Sequence, residues 1–180
     1  LREILNESGI TTLSPSDYSP SFIRRNFILL SILFSANHGA VVSCLSLATA
    51  RLGNLGNYQS SVLYLSYTLS ALFGATYVVK TVGARNSIMI GMIIYCAYVG
   101  CFVIATLSTS EGIQEASALC GALIGGIGGG FLWTAQGSYF ATASEEYALA
   151  KSLEMEESTS ILGGLFAGIY LGEEVLMRLV

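Results

Sequence analysis

Long apolar blocks and short polar gaps alternate along the chain, and the blocks recur at a nearly constant length. Five can be drawn: Phe27 to Ala50, Tyr58 to Val79, Ser87 to Leu107, Ala116 to Ala143, and Ser158 to Val180. Each is near the roughly twenty residues a helix needs to cross a hydrocarbon core of about 30 Å. The first three gaps, LGNLGNY, KTVGARN and STSEGIQE, are short; only the fourth, Ser144 to Glu157, has room for a small surface helix. This pattern predicts an all-α, polytopic transmembrane helix bundle whose solvent is a lipid bilayer. Residues 1–26 then form a polar N-terminal segment and residues 27–180 a transmembrane domain. The chain begins with Leu and ends on Leu179-Val180 inside an apolar stretch, so a C-terminal remainder of the same chain is expected.

The fourth block carries the strongest local signal, ALCGALIGGIGGGFLWTAQGSYF from Ala118 to Phe140. In water each interior glycine costs a helix about 0.5–1 kcal/mol relative to alanine. In lipid the backbone has no water to bond with, so the helix persists and its glycines admit a close neighbour. Gly121, Gly125 and Gly129 recur every four residues and so share a face; Gly126 and Gly130 form a second pair. The spacing predicts a close helix contact. No GxGxxG or GK[ST] pattern is present, which leaves nucleotide binding without support.

Composition sharpens this picture. Hydrophobic residues make up 53% of the chain and charged residues only 11%, against about 25% charged in soluble domains. Mean hydropathy is +0.64. The formal net charge of −4 comes with no basic stripe, which excludes a nucleic-acid footprint. Four cysteines lie inside apolar blocks without a CxxC pair, and with a single histidine they make no metal site. Arg24, Arg25, Lys80, Arg85 and Lys151 all fall on loops of one side, while the other side offers only Arg51. By the positive-inside rule the N-terminus and the Lys80–Gly83–Arg85 turn are cytoplasmic. The Asn6-Glu7-Ser8 sequon would then stay unglycosylated, and the membrane itself is either the plasma membrane or an endomembrane.

Few residues carry chemistry. His38 sits with Asn37 near the middle of the first span, where a polar group is costly and faces the bundle interior. It is either a protonatable group in a cavity or an imidazole bonded to a neighbouring helix. Tyr64 and Tyr67 lie on a mildly polar stripe of the second span, suited to a cavity wall or a tight helix contact. Gln136, sharing a face with Trp133 and Phe140, either lines a cavity or bonds across helices. Glu173 and Glu174 are the acids of the fifth span; about 23 Å along the helix from Ser158, they are expected at the far interface. No nucleophile–base pair or carboxylate dyad is present, so neither catalytic residues nor a cofactor are assigned.

LGNYQSSVLYLSYTLSALFGATYVVKTVGARNSI, GGIGGGFLWTAQGSYF and STSILGGLFAGIYLG together resemble the Unc-ninety-three-like family. That family is built on the major facilitator superfamily fold. The likeness runs from about Asn37 to Leu171, and GFLWTAQGSYF and VVKTVGARN are its most specific parts. It implies the N-terminal half of a major-facilitator-type fold, here about five of twelve helices. It also implies a non-enzymatic protein that regulates another membrane protein, such as a potassium channel or a trafficking receptor. The alternative is a proton- or ion-coupled transporter of small solutes. The superfamily's loop motif is Gly-x-x-x-Asp-Arg/Lys-x-Gly-Arg/Lys-Arg/Lys. Aligned on Gly83, this chain has Lys80 at the Asp position and Thr76 at the first Gly, keeping basic character only at Arg85. A lysine cannot replace the acid of a gating latch, which favours the regulator.

Overall fold

The computed structural model describes residues 19–179, with side chains through Met177. The sequon and most of the polar N-terminal segment lie outside the described residues. Six helices follow one another: α1 (Pro20–Leu52), α2 (Asn54–Phe73), α3 (Ala75–Val82), α4 (Ala84–Leu107), α5 (Glu111–Lys151) and α6 (Met155–Leu179). α1, α4, α5 and α6 are long and apolar enough to cross a membrane, and α2 with α3 makes a fifth span when taken together. The all-helical bundle expected from the blocks is therefore present.

The boundaries follow from local chemistry. α1 starts seven residues before the apolar block because Ser19 caps it, accepting the Phe22 N–H at 3.3 Å, and Pro20 fits its first turn. Single glycines make the next two breaks. Gly53 (φ 58) separates α1 from α2 and Gly83 (φ 87) separates α3 from α4, conformations that side-chain-bearing residues rarely adopt. The expected gaps of seven residues shrink accordingly. The fourth connection is corrected in the same sense: α5 stays helical to Lys151, so the anticipated surface helix does not form. A left-handed Ser152 closes α5, with Leu153 donating to the Ala148 carbonyl at 3.0 Å in a Schellman-type turn. The second span is not straight; α2 and α3 meet at 58° at Gly74, which lies against the Phe131 ring.

α5 is the axis of the bundle, touching the five other described helices, whereas the backbones of α2 and α4 stay apart. Its glycines explain this position. A Cβ on Gly121 would lie 2.5 Å from Cys101 Cβ, one on Gly125 2.9 Å from Tyr98 Cβ, and one on Gly128 2.5 Å from Ile94 Cγ2. Those three face α4, which answers with its own Gly91 under Leu132. Gly126 and Gly130 face α2 instead, where a Cβ would strike Ser66, the Leu63 carbonyl and the Ala71 amide. Ser70 Oγ adds a 2.9 Å bond to the Ile127 carbonyl. The sequence pattern is thus refined: Gly121 and Gly125 pack on α4 as a pair, with Gly128 as the third member. Gly129 points between the two neighbours, under Tyr95 and Tyr67.

At the end carrying Arg24, Arg25 and Lys151, a second cluster closes the bundle. Phe27 and Leu162 are buried there with Ile23, Ala143 and Tyr147. Ser158 Oγ donates to the Ser144 carbonyl at 2.6 Å, fixing the start of α6 against α5.

Gly126→Ala should destabilise the protein by about 1–3 kcal/mol, since the new methyl meets backbone that cannot rotate away. Gly137→Ala, where nothing lies within 4 Å of the added carbon, should be neutral or stabilising. Thermal unfolding in detergent compares the two, and equal losses would count against the α2 contact.

Candidate functional site

α1, α4, α5 and α6 each send one or more aromatic side chains to a common point around His38. The imidazole meets the Trp133 ring edge-on at 5.2 Å between centroids, with Tyr170 at 5.6 Å, Tyr95 at 5.9 Å and Phe34 at 6.3 Å. Phe34 in turn meets Trp133 at 4.9 Å and Phe166 at 5.8 Å in edge contacts. Such tilted and edge-on geometries are what ring quadrupoles favour. The helical spacing makes this possible. Phe34 and His38 are one turn apart on α1, as are Phe166 and Tyr170 on α6, so each helix presents a two-ring stripe.

Polar contacts complete the cluster. The Tyr95 hydroxyl lies beside Gly129, where an added Cβ would come within 2.7 Å of it. Glu174 on α6 is close enough for its charge to act on His38. The His38 Nδ1 is buried and has no hydrogen-bond partner among the described residues, and the same is true of Glu173 Oε2. His38 lies eleven residues beyond Phe27, about 16 Å along α1 and so near the middle of a core of ~30 Å. Glu174 follows Tyr170 by one turn on α6.

The other residues singled out in the sequence are distributed around this cluster. Asn37 turns to α4, donating to the Met92 carbonyl and the Cys96 sulfur, both at 3.3 Å. Tyr67 is half-buried beside Gly129 and approaches the Tyr95 hydroxyl, so it borders the cluster. Tyr64 lies on an outer face, 58% exposed. Gln136 is half-buried on α5, three residues beyond Trp133. Lys80 is exposed at the end of α3, while Arg85 borders a cavity of about 760 Å³ together with Asn26, Tyr139 and Glu146.

One buried pair had no signal in the sequence. Gln59 of α2 is fully buried and donates from Nε2 to the Tyr98 hydroxyl of α4 at 2.8 Å. It joins two helices whose backbones stay apart. Gln59 stands among polar residues at the start of an apolar block, and nothing in its neighbourhood distinguishes it from a surface glutamine.

A family model described as "Ion channel regulatory protein UNC-93" matches residues 53–177, a stretch that takes in the glycine axis, Tyr95, Trp133, Tyr170 and Glu174. The chain belongs to the UNC-93 family. A curated relative, the "Putative potassium channel regulatory protein unc-93" of Caenorhabditis elegans, is 27% identical over 149 residues. That alignment covers 83% of this chain and 20% of the relative, so the chain spans about a fifth of the length of the protein it matches. No solved structure matches the chain. Membership agrees with the resemblance carried by GFLWTAQGSYF and VVKTVGARN, and it marks the chain as part of a family of membrane regulators.

Two substitutions probe the interior. Tyr98→Phe should cost about 1–3 kcal/mol by stranding the Gln59 amide, and adding Gln59→Leu should recover much of that loss. A double-mutant cycle on thermal unfolding reads the coupling. His38→Ala should cost about 3 kcal/mol through the cavity it opens, whereas His38→Phe should stay within about 1.5 kcal/mol of the parent. Trp133, the sole tryptophan, reports both by its fluorescence.

Proposed function

We propose that this chain is the membrane-embedded part of a non-enzymatic regulator that binds another membrane protein, such as a potassium channel or a trafficking receptor. Its membership of the UNC-93 family carries this reading. The printed role of the worm relative, potassium channel regulation, supports the channel as the class of partner. We read the five spans as the N-terminal part of a major-facilitator-type fold, with Arg24, Arg25, Lys80, Arg85 and Lys151 on the cytoplasmic side.

The site fits that role better than solute transport. Around His38 the rings fill space by mutual contact, and the glycine axis locks α2, α4 and α5 together over most of their length. Lys80 stands where a transporter's loop motif has its acid. Asn37, His38, Tyr67 and Gln136 are then a polar seam that sets how α1, α4, α5 and α6 sit against one another. A partner would sense that arrangement through the outer faces of the helices.

Co-expression of the full-length protein with a potassium channel tests the proposal. Co-purification of the two, with an altered channel current, is expected, and His38→Phe should weaken the effect on current while leaving the amount of protein unchanged. Saturable, proton-dependent solute uptake into liposomes by the purified protein alone, abolished by His38→Ala, would overturn it in favour of the transporter.

A further inference from the structure

Three cations converge on one cavity at the end of the bundle opposite Arg51. A space of about 580 Å³ between the first turns of α1 and the last turn of α5 is lined by Arg24, Arg25 and Lys151. Its remaining walls are Pro20, Ser21, Ile28, Leu29 and Tyr147, so no carboxylate borders it among the described residues. None of the three cations makes an ion pair among the described residues. Two of the charged heads lie against rings: the Arg25 guanidinium is 5.8 Å from the centroid of Phe22, and the Lys151 ammonium 5.6 Å from that of Tyr147. A cation against a ring keeps its N–H donors for an anion.

Among the described residues, the acids of this end lie elsewhere. Glu145 is exposed on the last turns of α5, Glu146 borders the separate cavity with Arg85, and Glu154, Glu156 and Glu157 are exposed around the start of α6. Positive charge is thus gathered on one side of α5 and negative charge on the others. The apolar part of the cavity, Ile28 and Leu29, continues along α1 into the stretch that spans the membrane. A ligand that satisfies both parts carries phosphate at one end and hydrocarbon at the other. Basic pockets between transmembrane helices at the membrane surface hold such headgroups.

We propose that Arg24, Arg25 and Lys151 bind the headgroup of a multiply phosphorylated membrane lipid, with its chains lying against Ile28 and Leu29. Three cations in one cavity exceed what a singly charged headgroup needs, and the volume suits a phosphorylated sugar. Lipid occupancy would pin the start of α1 to the end of α5. Those are the two elements that the Phe27, Tyr147 and Leu162 cluster also joins.

Binding of short-chain phosphatidylinositol bisphosphate to the purified chain in neutral detergent tests this. Short-chain phosphatidylcholine and free inositol trisphosphate serve as comparison probes. The bisphosphate lipid should bind more tightly than either. Lys151→Ala should weaken it several-fold and the Arg24→Ala, Arg25→Ala, Lys151→Ala triple variant by on the order of tenfold or more. Lys80→Ala removes the same charge from the same end but outside the cavity, and should leave binding unchanged. Equal losses from Lys151→Ala and Lys80→Ala would reduce the effect to general surface attraction and overturn the proposal. Binding of phosphatidylcholine as tight as that of the bisphosphate lipid would do the same. Free inositol trisphosphate binding as tightly as the lipid would make the site one for a soluble phosphate, and overturn the lipid assignment. Lys151 is exposed, so its variant reports on binding even where the triple variant folds poorly.

Discussion

Backbone approaching backbone along α5 is the contact on which the other helices depend. In lipid there is little hydrophobic force between helices, so association relies on van der Waals contact and on hydrogen bonds between them. Six glycines between Gly121 and Gly130 remove the side chains that would hold α2 and α4 away. Two consequences follow from the same run. Gly121, Gly125 and Gly128 seat α4 on one side, and Gly126 and Gly130 seat α2 on another, so two helices whose backbones stay apart are fixed relative to each other through a third. The Gln59–Tyr98 bond closes that arrangement from within. It requires a side chain long enough to cross the space the glycines leave, and a hydroxyl set at the right height on α4.

The aromatic cluster rests on the same foundation. Gly129 leaves room for the Tyr95 hydroxyl and the Tyr67 ring, and Tyr95 and Trp133 both pack on His38. Any side chain at that glycine would press on Tyr95 and through it on the imidazole. The packing contact and the polar site are one structure at two depths. That is why His38 sits at a crossing of four helices and not in a groove of one.

Much of the architecture was legible in the sequence, because span length and glycine spacing are local properties. The apolar blocks overlap α1, α2 with α3, α4, α5 and α6, and the small-residue pattern identified α5 as a contact element. The face assignment was less complete. A period of four places Gly121, Gly125 and Gly129 in line, but the helix turns 3.6 residues per repeat, so the contact drifts to Gly128 by the third step. Turn lengths were overestimated for another reason. Polar residues such as Asn54, Asn57 and Ser144 read as loop, yet they continue helices wherever a single glycine or a left-handed Ser152 makes the turn. Arg24 and Arg25, though visible as charges, lie more than a hundred residues from Lys151, and only the antiparallel packing of α1 on α5 joins them.

The outermost helix has a particular place in this arrangement. α6 touches only α1 and α5, and Leu171, Val175 and Leu176 on its outer side are exposed. Its inner side carries Phe166, Tyr170 and Glu174 to the histidine, and Met177 against Gly39. α6 therefore brings two rings to the cluster around His38 while standing outside the glycine contacts. Displacing α6 would change what surrounds His38 without disturbing the glycine contacts of α2, α4 and α5. The bundle thus has a part locked by glycine contacts and a part held by ring contacts, and the division between them runs along α1.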